Sequence, residues 1–196
     1  KARLFRISFS GELAFEIAVP SRYGNAMIRA LMTAGEEFGV TPYGTEALGV
    51  MRIEKGHVAG NELNGQTTAS QMGLGRMISQ SKDSIGVVLS RRPELVRDDN
   101  YELIGLKPVD ADQPLIAGSH FIGVGASTIA ENDEGWVTSI ADSPHLKRVI
   151  GLGYIQRGNS RHGDIVRAVN LLGGQDIKVE LCSPHFIDPE GTRLHG

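Results

Sequence analysis

Val149-Ile-Gly-Leu-Gly-Tyr-Ile155 reads as a strand, short, apolar and broken by glycines that no stable helix would carry. Tyr101-Glu-Leu-Ile-Gly-Leu106, Gly135-Trp-Val-Thr-Ser-Ile140, Asp164-Ile-Val-Arg-Ala-Val169 and Asp176-Ile-Lys-Val-Glu-Leu181 share its texture, and Gly, Pro, Asn or Asp interrupts the chain every eight to twelve residues. Short strands at that cadence predict a small antiparallel barrel or sandwich. Ser143-Pro-His-Leu-Lys147 is a turn or a single helical turn within it. The change of texture begins at Ser84 with the apolar run Ile85-Gly-Val-Val-Leu89, followed by a charged, helix-like stretch from Arg91 to Asp99.

Upstream the patterns differ. Residues 6–20 hold two alternating runs about Gly11. Phe5, Ile7 and Phe9 point one way from the first run, and Phe15, Ile17 and Val19 form the apolar face of the second. Paired as a hairpin through Ser10-Gly-Glu-Leu13, the runs give one face that packs and another displaying Arg6, Ser8, Glu16 and two alanines. Met27, Ile28, Leu31, Met32 and Phe38 then recur at helical spacing, with Ser21 as the cap and Gly39 as the stop, which predicts an amphipathic helix covering a sheet. A second helix is expected over 41–56, capped by Thr41, with Pro42 at its first position and Gly56 past its end. Gly44 and Gly49 weaken it by about 1 kcal/mol each relative to alanine, so they are expected to admit a close neighbour, backbone or ligand. Residues 57–80 read as loop, with one short helix from Ser70 to Ile78.

Composition excludes several classes. With 196 residues and 40% hydrophobic content the chain can bury a core. Its net charge of -3 comes from interspersed signs, which gives no footprint for nucleic acid or an anionic membrane. No apolar run approaches the ~20 residues that span a bilayer. Cys182 is the single cysteine, so no internal disulfide forms, and a reducing, cytoplasmic setting is expected. Lys1-Ala-Arg-Leu4 already reads as strand, as in a piece of a longer protein.

Most chemical motifs fail. Gly151-Leu-Gly and Gly123-Val-Gly lack dinucleotide spacing and a following helix, and are expected to be structural glycines of the β-rich half. The histidines at 57, 120, 145, 162, 185 and 195 show no metal-like spacing, and no serine elbow or activated cysteine is present, so no catalytic and no metal-binding residue is expected. Glu16 is what remains, an acid within an apolar strand. It could be a cross-strand partner of Arg6, a surface pair worth ~0.5 kcal/mol. It could instead accept two parallel hydrogen bonds from a flat heterocycle with adjacent N–H groups, the bidentate match that carboxylates also make with guanidinium.

Ser8-Phe-Ser-Gly-Glu-Leu-Ala-Phe-Glu-Ile17, Arg52-Ile-Glu-Lys-Gly56, Gly60-Asn-Glu62, Gln66-Thr-Thr68 and Gly73-Leu-Gly75 resemble the folate-binding aminomethyltransferase family, the T-protein of glycine cleavage and its relatives fused to amine-oxidising flavoproteins. Pro144-His-Leu-Lys-Arg-Val-Ile-Gly-Leu-Gly-Tyr154, Arg161-His-Gly-Asp164 and Pro184-His-Phe186 suit the family's terminal β-domain. Thr41-Pro-Tyr-Gly-Thr-Glu46, with Glu-Lys-Gly in place of the usual Glu-Ala-Gly, resembles the branch formed by alpha subunits of heterotetrameric sarcosine oxidase. The resemblance implies an α+β fold: a hairpin-and-helix α/β sandwich segment over 1–98, followed by a small antiparallel β-barrel domain over 99–196.

It also implies a site, with Glu16 holding the amino-pyrimidine edge of a tetrahydrofolate and Phe9 stacking where many relatives carry tyrosine. Leu48 stands where T-proteins have arginine. The family's acidic catalytic residue and the dinucleotide-binding region are expected upstream of Lys1, and the chain by itself is expected to be inactive. FAD, FMN and NAD would be bound outside it, with beta, gamma and delta subunits as partners. The alternatives are a glycine-cleavage aminomethyltransferase and a mainly structural module that docks other subunits.

Overall fold

The computed structural model describes residues 1–79 and 81–195. Its centre is a closed barrel of β3 (Tyr101–Pro108), β4 (His120–Gly123), β5 (Asp133–Ser143), β6 (Arg148–Gln156), β7 (Ile165–Asn170) and β8 (Gln175–Cys182). The strands run antiparallel in the order β3-β6-β5-β4-β7-β8, and β3 pairs with β8 to close the ring and leave no open edge. Ile104, Leu106, Phe121, Val137, Ile155, Val166, Val179 and Leu181 fill the interior. Burying each such side chain stabilises by about 1.5–3 kcal/mol. Gly153 stays small because a Cβ there would stand 2.6 Å from the Trp136 carbonyl oxygen, so the β6 glycines are structural as expected.

All five strands read from the sequence are present. β4 is an addition, too short at four residues and too polar at His120 to stand out as a run. The turn expected at 143–147 joins β5 to β6, with Lys147 left-handed at φ 54°.

The N-terminal part contains β1 (Arg3–Phe5), β2 (Glu16–Ala18), α1 (Gly24–Gly35), α2 (Thr45–Lys55) and α3 (Ile85–Ser90). α1 with its flanking 3₁₀ turns, Ser21–Tyr23 and Glu36–Phe38, fills the predicted span and stops at Gly39, φ 70°. Ser21 does not cap it. α2 begins at Thr45, later than expected, and Gly44 rather than Thr41 is its N-cap. The 70–78 helix is replaced by turns and one 3₁₀ turn, Gly75–Met77. The apolar run at 85–89 is helical, started by Ser84, whose Oγ accepts the Val87 amide at 3.4 Å. The stretch from 91 to 99 keeps only the 3₁₀ turn Pro93–Leu95.

Two expectations about packing are corrected. Residues predicted to form the packed face of the hairpin lie open, Ile7 50% and Phe15 53% exposed, and Ile28 on α1 is 52% exposed. No residue of α1 is buried, so in this chain it covers no sheet. Among the described residues before 99, Ile53 is the one apolar side chain that is buried.

α2 is the exception to that openness and the link between the two parts. Ile53 packs with Leu103, Ala141, Ile150, Leu152 and Tyr154 on the outside of the barrel. Gly56, φ 73°, ends the helix where any Cβ would overlap the Pro184 carbonyl.

Candidate functional site

The hairpin forms, but shorter than expected and in another register. Arg3, Leu4 and Phe5 pair with Ala18, Ile17 and Glu16, and residues 6–15 form the connection. Directly paired residues share a face, so Phe5, not Arg6, lies beside Glu16. The physical reason lies in the connection, whose polar groups bond locally rather than in a ladder. Ser8 Oγ accepts the Gly11 amide at 3.0 Å and Ser10 Oγ the Glu12 amide at 3.4 Å. Gly11, φ 88°, lies on the aliphatic stem of Lys55, where a Cβ would come within 2.6 Å of Cδ.

Distant residues complete the anchorage of this loop. Arg6 donates to the Leu194 carbonyl at 2.9 Å, and Arg193 pairs with Glu12 at 2.9 Å. Lys55 Nζ donates to Asp188 at the carbonyl, 2.5 Å, and at Oδ2, 3.1 Å. Bonds from the Thr192 hydroxyl and from Lys55 hold the Asp188 carboxyl well below the usual carboxylate range. A cleft of about 200 Å³ lies between loop and C-terminal segment, lined among others by Gly11, Glu54, Lys55 and Asp188.

The ion pair once open to Glu16 is therefore absent, because Arg6 is engaged elsewhere. Glu16 is exposed on β2, and its carboxylate has no hydrogen-bond partner among the described residues. Phe9 sits in the connection, partly buried, its ring centroid 4.7 Å from that of His57. The two predicted ligand residues are thus on different elements, one strand and one loop.

Behind them lies a polar network that the sequence reading did not resolve. Glu62 is fully buried. Its Oε2 accepts Arg52 Nη1 at 2.8 Å and the Ala59 amide at 3.0 Å, while Oε1 accepts Thr138 Oγ1 at 2.5 Å and Ser139 Oγ at 2.6 Å. Arg52 Nη2 donates to Ser139 Oγ at 2.8 Å, closing a ring across α2, the 3₁₀ turn Gly60–Glu62 and β5. Glu54 accepts Ser143 Oγ at 2.5 Å, and its carbonyl takes the amides of Phe186 and Ile187. Each acid is tied to the barrel. The motifs Arg52-Ile-Glu-Lys-Gly56 and Gly60-Asn-Glu62 thus join the two parts of the chain, and no local pattern marked this, because the hydroxyl partners of Glu62 lie on β5.

Elsewhere, His120 Nδ1 and Asp133 Oδ2 are 2.7 Å apart on the barrel surface, a pairing that histidine spacing had not revealed. Burial pushes the Cys182 thiol up to about 11, which leaves it a poor nucleophile.

Two family models match the chain: the GCVT N-terminal domain over residues 1–82 and the glycine cleavage T-protein C-terminal barrel domain over 102–188. The chain belongs to the glycine cleavage T-protein family. Among T-protein relatives, the sarcosine oxidase subunit alpha of Rhizobium meliloti (strain 1021) is 46% identical over 98% of this chain and 20% of its own length. That of Corynebacterium sp. (strain U-96) is 38% identical over 100% of the chain and 20% of its length. An aminomethyltransferase of Desulforamulus reducens is 28% identical over 94% of the chain and 49% of its length. The chain therefore spans about a fifth of the sarcosine oxidase alpha subunits it matches.

The crystal structure of the glycine cleavage system aminomethyltransferase T from Bartonella henselae has the same T-protein fold, with a TM-score of 0.75 at 23% identity over 96% of this chain and 50% of that one. The α+β architecture with its antiparallel barrel is that of the family. No helix among the described residues is long and apolar enough to cross a membrane.

Proposed function

We propose that this chain is the folate-binding part of a sarcosine oxidase alpha subunit. The observation that carries the reading is Glu16: an exposed carboxylate on a strand, within the stretch that resembles the family's, without a side-chain partner among the described residues. A carboxylate so placed can take the two parallel N–H donors of an amino-pyrimidine edge, and charge-assisted bonds of this kind are the strong ones. Phe9, in the connection between the two strands, offers an aromatic ring without the hydroxyl of a tyrosine.

The reaction served would be one-carbon capture. Oxidation of sarcosine at a flavin outside the chain would yield an imine; one tetrahydrofolate nitrogen would add to its carbon, and a second folate nitrogen would then displace glycine with the original nitrogen, giving methylene-tetrahydrofolate. Water adding in its place would release formaldehyde and glycine. In this reading residues 1–98 contribute the folate wall and 99–196 the barrel that braces it. FAD, FMN and NAD, the catalytic acid, and the beta, gamma and delta subunits lie outside the chain, which would be inactive alone and would work in the cytoplasm.

The test is product partition in the full-length protein turning over sarcosine. Added tetrahydrofolate should divert carbon from free formaldehyde to methylene-tetrahydrofolate, and Glu16→Gln should restore formaldehyde release without slowing sarcosine oxidation. Equal partition in both proteins would overturn the reading. A second reading, a structural module that docks other subunits, is favoured by the apolar face that α1 leaves exposed at Ile28 and Leu31. It predicts that Glu16→Gln changes nothing, whereas charges placed on that face disrupt assembly. A glycine-cleavage aminomethyltransferase, the remaining alternative, would act on an aminomethyl donor rather than on sarcosine.

A further inference from the structure

β4 and β7 carry none of the residues that pack around Ile53 of α2. On their outer face lies a cavity of about 410 Å³, within the roughly 300–1,000 Å³ of small-molecule sites. Phe121 and Ala168 point into the barrel, so Ile122 and Val169, one residue on, face outward and floor this cavity. His120 pairs directly with Val169 and shares that face. The walls are the loop at 128–130 and the β7–β8 turn at Leu171 and Leu172. Arg167 holds the loop, donating from Nη1 to the Ala126 carbonyl at 2.7 Å and from Nη2 to Thr128 Oγ1 at 3.1 Å. Asn170 Oδ1 holds the turn by accepting the Gly173 amide at 2.7 Å. Both leucines nevertheless stand exposed, where a turn ordinarily carries glycine or polar residues.

A bulge places the polar group of the cavity. His120 pairs with Trp136 but Ile122 with Asp133, so β5 has one residue more than β4 between these pairs. An unbroken ladder would pair Ile122 with Glu134 and turn Asp133 to the other face. The extra residue instead brings the Asp133 carboxylate to His120, with Oδ2 2.7 Å from Nδ1 and Oδ1 accepting the Gly135 amide at 3.1 Å. A carboxylate only accepts, so Nδ1 carries the proton. Nε2 of the neutral ring then keeps a lone pair, and it has no partner among the described residues.

We infer that this cavity is a binding site for a small apolar molecule bearing one hydroxyl, an alcohol or a phenol. Its body fills the space between Ile122, Ile129, Val169 and the two leucines, and its hydroxyl donates to His120 Nε2. Apolar walls take the body out of water, and one fixed acceptor sets its orientation. A cation would lose hydration against those walls without a free carboxylate oxygen to replace it, because both oxygens of Asp133 are engaged. No residue of this cavity belongs to the hairpin or to the cleft at Gly11, so the inference does not depend on Glu16.

The test is a saturation-transfer NMR titration of the full-length protein with para-ethylphenol and with para-ethylanisole, which keeps the shape but cannot donate. The phenol should bind about 3- to 10-fold more tightly, the worth of one hydrogen bond. His120→Leu should remove that preference. Leu172→Ser should weaken both compounds about two- to five-fold, because it takes away apolar wall. Saturating formyl-tetrahydrofolate should displace neither. Equal affinity for the two compounds in wild type, or a preference that survives His120→Leu, would overturn the hydroxyl contact. Absence of binding, binding that Leu172→Ser leaves unchanged, or displacement by formyl-tetrahydrofolate would overturn the site.

Discussion

The barrel and the hairpin-helix half have similar shares of apolar sequence and use them in opposite ways. In the barrel, Ile104, Leu106, Phe121 and Val179 are fully buried. In the other half Leu4, Phe5, Ile28, Leu31 and Phe38 remain exposed, and Ile53 alone among the described apolar side chains is buried, against the barrel. A sheet closed on itself satisfies its own edges and interior, whereas a two-stranded hairpin is marginal without further strands or packing. What ties the open half down comes from the barrel and the segment after it: Thr138 and Ser139 on Glu62, Ser139 on Arg52, Ser143 on Glu54, and the grip of residues 188–194 on the loop.

The contrast can be broken by mutation. Phe121→Ala should cost about 3–5 kcal/mol in denaturant unfolding of this chain, whereas Leu31→Ala should stay within about 0.5 kcal/mol. Equal costs would mean that the exposed face is packed in solution. Glu62→Ala should cost about 3–5 kcal/mol, because Arg52, Thr138 and Ser139 lose their shared acceptor in a buried setting. Retained stability there would show that the network does not join the two parts.

Smaller effects sharpen the picture. Asp188 has a folded pKa below its unfolded value, so its contribution is present above the unfolded pKa, near 3.9, and fades as pH falls toward the folded one. Asp188→Asn should flatten the acid limb of a stability profile below about pH 4. The same limb in wild type and variant would remove Asp188 from the anchorage. Reversing Glu12 and Arg193 singly should each destabilise slightly, with the double reversal recovering part of the loss, as exposed pairs do. Absence of that coupling in a double-mutant cycle would release the loop from the C-terminal segment.

How much could be read in advance follows the same divide. Barrel strands were legible because strand texture and turn residues are local signals, and α1 was legible from its 3.6-residue period. Ile85–Leu89 was not, since a short apolar run carries no period that separates helix from strand. The hairpin register was hidden for another reason: residues 6–15 leave the ladder to meet Lys55, Arg193 and Leu194, and contacts so distant in sequence leave no local pattern. Glu62 was invisible for the same cause, its hydroxyl partners lying on β5. Glu16 was legible as an acid on an apolar strand, and the structure removed its competing partner by turning Arg6 to Leu194.

The most direct measurement is calorimetric titration of the full-length protein with formyl-tetrahydrofolate, wild type against Glu16→Gln. Loss of a charge-assisted bidentate contact predicts a Kd raised about 10- to 100-fold with an unchanged unfolding midpoint, as expected for an exposed side chain without partners among the described residues. Equal affinity in the two proteins would contradict the assignment of Glu16 as the acid that holds the folate.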